Sequence, residues 1–409
     1  MSQRTMLLTI AMVTSLLCQL QAEVIDSNWV GGAGLAWSNP LNWQPQIVPT
    51  NSGDRKFRVN IHAATGPEEI VFVNVDGVYE TDSLHISGTG TIIHAASFDP
   101  INLFIKNELS NNGEFEIINL NIDGELRNLE NGEMDIVGEV GTFWGNIENH
   151  GHIEVSPASE LWTFLLFENF GDLAMKNAEC GAETTFDNKG VVTGSGILYG
   201  DWSFINSGRI QTRGGDLMLD GDRFLINTGE LGNTPNTSLH VTLPEPLNNQ
   251  GLIRINAGGG VTIEASLVNE PNATVNLLGG ILAATTITQK PGATFQGFGG
   301  ITGDVVIDPN ALIKLTGPTN IVGDVEIKPN ATLEISDGTT LITGQTTCNG
   351  TIHLKGGRII PQGGLSGTCN IVWEPGLYTN VADFNLDGKV NIQDFALFAD
   401  TWLWQTAWD

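Results

Sequence analysis

The chain has 409 residues, 41% of them hydrophobic, with 18 basic and 46 acidic side chains and a formal net charge of −28. This charge excludes nucleic acid and anionic lipid surfaces as partners, because both bind clustered Lys and Arg. The hydrophobic fraction excludes a disordered acidic chain, since enough apolar surface is present to form a core.

Residues 1–22 have the layout of a secretory signal peptide. Arg4 precedes an apolar run, and Ala22 supplies a small residue for cleavage. The run is shorter than the ~20 apolar residues of a spanning helix, and no other segment approaches that length. We therefore expect export without a membrane span, to the medium or to a bacterial cell surface.

Residues 23–100 are predicted to form an N-terminal cap and the first strands. Trp29, Trp37 and Trp43 concentrate aromatic surface before the regular part of the chain. The segment SNWVGGAGLAWSNPLNWQPQIVP resembles the W-x-G-G-x-G…W…N-W…V-P opening of secreted and surface β-helix proteins of bacteria, including autotransporter-type passengers. This resemblance implies the architecture and no activity. A sugar-binding aromatic platform is the alternative role for the tryptophans.

Residues 101–370 repeat with spacings of 18 to 22 residues. An Asn-x-Gly motif recurs, as at Asn149, and gives way to Pro-x-Ala from Pro271 onward. With the Gly or Ala as an anchor, thirteen units run from Gly113 to Gly350. The residue two places after every anchor is apolar: Phe115, Met134, Ile153, Leu173, Val192, Ile210, Leu231, Ile253, Val275, Phe295, Ile313, Leu333 and Ile352.

Each unit is predicted to contain two or three short strands, because apolar and polar residues alternate after the anchor. A second apolar position lies four residues before the anchor, at Leu109, Ile147, Phe167, Phe186, Phe204, Leu225, Leu247, Ile307 and Ile327. A third follows later, at Val261, Ile281, Ile301, Ile321 and Leu341. Asn and Gly are expected at corners with positive φ, and Pro at corners that it fixes.

Short strands of this kind bury their inner faces only when successive units stack. The sequence therefore predicts an all-β fold, a right-handed parallel β-helix (β-solenoid) of about thirteen coils. The variable period disfavours a left-handed form, which needs a constant one. A β-propeller is the alternative, although its blades need four strands and about twice as many residues.

Cys348 and Cys369 lie 21 residues apart, which is one period of the repeat. Equivalent positions on neighbouring coils are about one ladder spacing apart, within the reach of a disulfide. We predict this disulfide, with the function of preventing the last coil from fraying, and a buried thiol at Cys180. His150 and His152 are interpreted as parts of a solvated turn rather than as metal ligands.

No catalytic residue is predicted, but exported β-helices include polysaccharide lyases and glycosidases. A polysaccharide-degrading enzyme or a glycan-binding component on this scaffold is therefore the alternative function. Outward strand positions carry acidic ladders, at Glu114, Glu116, Glu133, Asp135 and Glu154, with few basic residues beside them. The acidic turns 214–216 and 219–223 look most like a site, and a solvated corner is their simpler interpretation.

Residues 371–380 are predicted to be a linker, and residues 381–409 a calcium loop followed by a helix. The stretch DFNLDGKVNIQD places oxygen ligands at the spacing of an EF-hand-type loop, with Gly388 at the sharp turn. The predicted calcium ligands are Asp383, Asn385, Asp387, Lys389 through its carbonyl, Asn391 and Asp394.

This loop and the amphipathic stretch DFALFADTWL after it resemble one type I dockerin repeat, over about residues 381–404. Dockerins dock exported proteins onto cohesin modules, and they normally carry two such repeats. The resemblance implies calcium as a cofactor and a cohesin-like or cell-envelope protein as a partner. Phe395, Phe398 and Trp402 recur at helical spacing and are predicted to contact that partner, with packing on the last coil as the alternative.

The sequence thus predicts an exported structural or adhesive β-helix that is attached through its C-terminal module. Its regular faces are expected to contact a polysaccharide or another protein.

Overall fold

The computed structural model describes residues 23–31, 35–52, 55–62, 71–75, 79–95, 103–117, 120–142 and 144–374. Within these residues the chain forms β-strands and one 3-10 turn, Pro40–Asn42. The first strands are β1 (Glu23–Trp29), β2 (Leu35–Ala36), β3 (Trp43–Gln44), β4 (Arg55–His62), β5 (Val71–Val75), β6 (Tyr79–Ala95), β7 (Leu103–Ile117), β8 (Leu120–Ile122), β9 (Glu125–Asn128), β10 (Glu133–Ile136), β11 (Glu139–Thr142), β12 (Ile147–Asn149), β13 (His152–Val155), β14 (Glu160–Thr163), β15 (Leu166–Asn169), β16 (Asp172–Ala182), β17 (Thr185–Asn188), β18 (Val191–Gly200) and β19 (Ser203–Asn206).

The remaining strands are β20 (Arg209–Asp220), β21 (Phe224–Asn227), β22 (Glu230–Gly232), β23 (Ser238–Thr242), β24 (Leu247–Asn249), β25 (Leu252–Asn256), β26 (Gly260–Ile263), β27 (Leu267–Asn269), β28 (Thr274–Gln289), β29 (Thr294–Ile307), β30 (Leu312–Val322), β31 (Val325–Ile327), β32 (Thr332–Ile335), β33 (Thr339–Ile342), β34 (Thr346–Cys348), β35 (Thr351–Leu354), β36 (Arg358–Pro361), β37 (Leu365–Ser366) and β38 (Asn370–Trp373).

The strands stack into a parallel β-solenoid of the right-handed type with about 14 turns. Strands of one coil pair in parallel with their equivalents in the next, as β4 does with β6 and β32 with β35. The predicted parallel solenoid is confirmed, and this pairing rules out the β-propeller. The thirteen units are an undercount, because β1 already pairs with β4 and β4 with β6, upstream of the first anchor at Gly113. At ~4.8 Å per step, the rod is roughly 65 Å long.

The predicted inward position after each anchor is confirmed along the whole repeat. From Phe115 to Ile352 these residues pair directly with one another, coil after coil. Each is at most 2% exposed. One continuous apolar column therefore fills the interior behind this strand, and its burial is the main driving force for stacking.

The other two predicted apolar columns contain register errors. Ile281 is 53% exposed, and the residue that pairs with Ile301 is its neighbour Leu282. Leu341 is likewise displaced by one residue, because Ile321 pairs with Ile342. The reason is that the connection before this strand varies in length, and a shift of one residue reverses which side chains point inward.

A column of buried amides runs beside the apolar columns, formed by asparagines that were expected to serve only as corner residues. It consists of the Asn of each Asn-x-Gly motif and its equivalents, Asn111, Asn128, Asn149, Asn169, Asn188, Asn206, Asn227, Asn249, Asn269 and Gln289, all fully buried. Each Asn donates from Nδ2 to the side-chain oxygen of the next, over 2.7–2.9 Å. We call these residues the amide column.

Ile307 and Ile327 belong to the amide column, so their predicted place in the column of Leu109 was wrong. Gln289 pairs with Ile307, and Ile307 with Ile327, so both lie in the amide column rather than behind Leu109 and its equivalents. Their strand ends four residues before the anchor in Pro-x-Ala units and two residues before it in Asn-x-Gly units. The column thus becomes apolar towards the C-terminus.

Glycine is needed in Asn-x-Gly because the coils approach closely, not because φ is positive. A Cβ atom added at Gly190 would lie 2.1 Å from the carbonyl oxygen of Gly171. That same carbonyl accepts a hydrogen bond from the backbone N–H of Val191. Positive φ occurs instead in Pro-x-Ala corners, at the middle residue, as at Asn272 with φ 71°.

The three N-terminal tryptophans form a buried cluster. Trp37 and Trp43 are fully buried, and Trp29 is 7% exposed. The ring centroid of Trp43 lies 4.8 Å from that of Trp29 and 4.7 Å from that of Trp37, with edge-on geometry. Burial rules out the sugar-binding platform for these residues, which instead fill the core at this end of the rod.

Candidate functional site

The predicted calcium ligands and partner-contact residues lie outside the described residues. These are Asp383, Asn385, Asp387, Lys389, Asn391, Asp394, Phe395, Phe398 and Trp402. The first residues of the predicted linker belong to β38, which pairs with β35 as part of the last coil. In the part of the chain that the structure describes, no group of three His, Cys, Asp or Glu side chains could hold a metal ion.

Cys348 and Cys369 are joined in the structure, with an S–S distance of 2.11 Å and a Cα–Cα distance of 4.9 Å. Ile327 pairs with Cys348, so the disulfide continues the amide column at the C-terminal end of the rod. Cys180 is a buried free thiol, and burial raises its pKa well above the ordinary value. A protonated, buried thiol is a poor nucleophile.

The two histidines sit at a corner and on the following strand. The ring of His150 stacks on Phe170 with centroids 4.6 Å apart, and its Nε2 lies 2.7 Å from Glu148 Oε1. His152 lies on β13, where it pairs with Glu133 on one side and Asp172 on the other. These contacts fit a partly solvated surface.

The acidic ladders occupy the outward positions that the alternation predicts. Glu116 pairs with Asp135, and Asp135 pairs with Glu154. Burial and the neighbouring carboxylate of Glu154 raise the pKa of Asp135, while Lys176 forms an ion pair with Glu154. This ladder is therefore partly neutralised by one lysine, and it does not present a carboxylate pair alone.

A second acidic cluster lies at the corner between β18 and β19 and its equivalents in adjacent coils. The backbone N–H of Asp222 donates to the carbonyl of Asp201 over 3.0 Å, which stacks the predicted 219–223 turn on the preceding coil. Burial, and then the charges of Asp222 and Asp220, raise the pKa of Asp201. Burial and Asp201 likewise raise the pKa of Glu183.

This cluster includes an aromatic surface that the sequence analysis missed. Trp202 is 59% exposed, and the guanidinium carbon of Arg223 lies 4.4 Å from its ring centroid. The arrangement is a cation–π contact beside carboxyl groups that hold protons more readily than usual. In contrast, the acidic turn 214–216 has a structural role, because Asp216 Oδ1 accepts a 2.7 Å hydrogen bond from the backbone N–H of Ser238.

We expect Asp201→Asn to stabilise the fold slightly at pH 7, by up to about 0.5 kcal/mol. The folded-state pKa of Asp201 is raised, so its ionised form opposes folding above that pKa. The advantage of the variant should shrink as pH falls through the raised pKa and vanish below the ordinary value of 3.8. Urea unfolding at pH 7 and pH 3 checks this, and a pH-independent difference would contradict it.

Among the described residues, no helix is long and apolar enough to span a membrane. Comparison of the chain with protein-family models, with curated proteins and with solved structures finds no match.

Proposed function

We propose that this chain is an exported structural or adhesive rod, attached through a calcium-binding C-terminal module of about residues 381–409. The observation that carries the structural role is the regularity of the coils. From β12 to β38 the longest connection between strands is residues 233–237. Sites on solenoid scaffolds are usually built from long insertions on one face, so this construction favours an extended contact surface.

Two features at the C-terminal end support attachment there. The disulfide between Cys348 and Cys369 links the last coil to the one before it. It would therefore resist unfolding of the end at which a mechanical force on the attached rod is applied. The spacing of oxygen ligands from Asp383 to Asp394 fits a calcium loop directly after that coil. The proposed partner is a cohesin-like or cell-envelope protein, contacted by Phe395, Phe398 and Trp402.

We expect the full-length chain to bind one calcium ion in this loop and to retain its envelope partner only with calcium present. Asp387→Ala should weaken calcium binding at least about tenfold, because it removes a charged ligand. Asp172→Ala, which removes an exposed carboxylate from the rod, is the matched control. Calorimetric titration, followed by capture from the envelope fraction with calcium or chelator, checks both points. Equal calcium binding by wild type and Asp387→Ala would sink the proposed site.

A second candidate function is a polysaccharide-degrading enzyme, and the Asp201 cluster is the observation that favours it. Glycosidases use a carboxylic acid with a raised pKa as the general acid, and Asp201 and Glu183 both have raised pKa values next to exposed Trp202. Release of reducing ends by the wild type, lost in Asp201→Asn, would select this function. If no reducing ends are released from a panel of neutral and acidic glycans, the structural or adhesive role is retained.

A further inference from the structure

A groove of about 580 Å³ lies along one corner of the rod, in its N-terminal half. Its lining includes Lys56, Asp82, Lys106, Asp123 and Trp144, which come from successive coils. The coils meet closely here: a Cβ atom added at Gly124 would lie 1.8 Å from the carbonyl oxygen of Asn107, and one added at Gly145 would lie 1.9 Å from that of Gly124. Lys106, Asp123 and Trp144 each precede one of these stacked residues, so they form a line along the axis.

Trp144 is the most exposed large apolar side chain of the described residues, at 79%. A single exposed indole is common on protein surfaces, but this ring lines the groove together with polar side chains, so an apolar face lies there beside hydrogen-bonding groups. The C–H face of a pyranose ring stacks on indole, while its hydroxyl groups bond to carboxylate, amide and ammonium groups. The groove supplies such groups, since Asn107 and Asp82 both lie on its wall. Asn107 Nδ2 donates to Asp82 Oδ1 over 2.7 Å, which holds the two side chains in place.

The same corner carries Trp202, three coils further along the rod. Thr142 pairs with Thr163, so Leu165 lies one coil beyond Trp144. The N–H of Thr185 donates to the carbonyl of Leu165, and the N–H of Trp202 donates to that of Thr184. Three ladder steps place the two tryptophans roughly 14 Å apart along the axis.

One ladder step, about 4.8 Å, is close to the length of one sugar unit in an extended polysaccharide. A glycan that lies parallel to the axis therefore places about one sugar unit on each coil. Two tryptophans three coils apart then contact sugar rings three units apart. A chain laid across the rod would leave this corner after one contact. The spacing thus favours an axial orientation.

Charge selects a neutral glycan. The lysines of the groove are already paired with acids, Lys106 Nζ with Asp123 Oδ2 at 2.6 Å and Lys56 Nζ with Asp82 Oδ1 at 3.4 Å. The chain as a whole carries a net charge of −28, and Glu183 and Asp201 lie at the same corner. A polyanionic chain would be repelled along most of this path.

We propose that this corner, from Lys56 to Trp202, binds a neutral polysaccharide chain that lies along the rod axis, with Trp144 and Trp202 stacking on its sugar rings. The proposal rests on the adhesive role proposed above and names the class of ligand for that role. It is separate from the C-terminal attachment, which uses other residues.

Affinity gel electrophoresis of the full-length chain tests this, in gels containing hydroxyethyl cellulose, glucomannan, xylan or, as an acidic counterpart, polygalacturonate. We expect retardation in at least one neutral gel that 0.5 M salt, about ten times a low-salt buffer, leaves unchanged, since no ion pair to the ligand is involved. Trp144→Ala and Trp202→Ala should each weaken binding about tenfold, and the double variant more. Trp373→Ala removes a tryptophan that is 60% exposed at the end of the rod and should bind like the wild type.

Three results would overturn the proposal: no retardation of the wild type in any neutral gel, unchanged binding by the double variant, or retardation by polygalacturonate alone. Circular dichroism of each variant is recorded alongside, and only variants with the wild-type spectrum are compared, so that loss of binding is not ascribed to unfolding. If glycan binding fails while calcium-dependent capture is intact, the glycan proposal is wrong and the proposed attachment stands. If capture is lost while glycan binding is intact, the proposed attachment is wrong and the glycan proposal stands.

Discussion

Replacing Asn249 by Ala is expected to destabilise the rod by about 3 kcal/mol, because it interrupts the amide column in its interior. Asn249 accepts from Asn227 Nδ2 over 2.7 Å and donates to Asn269 Oδ1 over 2.8 Å. Removal leaves a donor above and an acceptor below without these partners, and each unsatisfied buried group costs about 1–3 kcal/mol. The aligned amides also polarise one another, which adds to the loss.

The neighbouring residue provides a matched control. Asn248 lies on the same strand, β24, but on its outward side and partly in solvent. Asn248→Ala removes the same atoms from the same backbone, and we expect a change within about 0.5 kcal/mol. Urea unfolding followed by circular dichroism compares the two midpoints. Equal midpoints would mean that the amide column contributes packing volume and no hydrogen-bond energy that matters.

The amide column also shows where sequence reasoning stopped. The apolar column from Phe115 to Ile352 could be predicted, because alternation along a strand is a property of single residues and their spacing. The asparagines were read as turn formers, which is their commonest role when they precede glycine. Recognising a column requires that equivalent residues of different coils touch, and only the stacking of coils produces that contact.

Trp144 and Trp202 were missed for a related reason. Each precedes a strand in a short polar corner, as in FWGN and DWSF, and a single exposed tryptophan carries no signal of its own. Their separation of 58 residues, 202 minus 144, is three repeat units. The sequence contains this signal, because a repeat with a readable period also shows which non-core residues recur in the same phase.

Strand register could not be predicted at every coil, because a shift of one residue reverses which side chains point inward. Ile281 and Leu282 are both apolar, so composition alone does not decide which points inward. The preceding glycines, Gly279 and Gly280, change the length of the corner, and Gly279 has a φ of 90°. Only the pairing of Leu282 with Ile301 fixes the choice.

Replacing Gly190 by Ala is expected to cost at least about 3 kcal/mol, and it tests the claim that coil spacing requires this glycine. The added Cβ atom would lie 2.1 Å from the carbonyl oxygen of Gly171, which is backbone and cannot rotate away. The two coils would have to separate, and the 2.9 Å hydrogen bond from Val191 N–H to that carbonyl would weaken. Apolar columns on both sides of the corner would open with it.

Gly300→Ala is the control, because the atom nearest to its added Cβ is Cγ1 of Ile281, at 3.0 Å, which belongs to a side chain that is 53% exposed and not to the backbone. Both substitutions stiffen the unfolded chain equally, by about 0.4–1 kcal/mol, so their difference reports the folded state alone. We expect Gly300→Ala to unfold near the wild-type midpoint and Gly190→Ala far below it. If the two variants unfold together, the coils tolerate a wider spacing, and the close approach does not require glycine at this position. Hydrogen exchange checks the spacing directly, because a wider spacing would expose the Val191 amide.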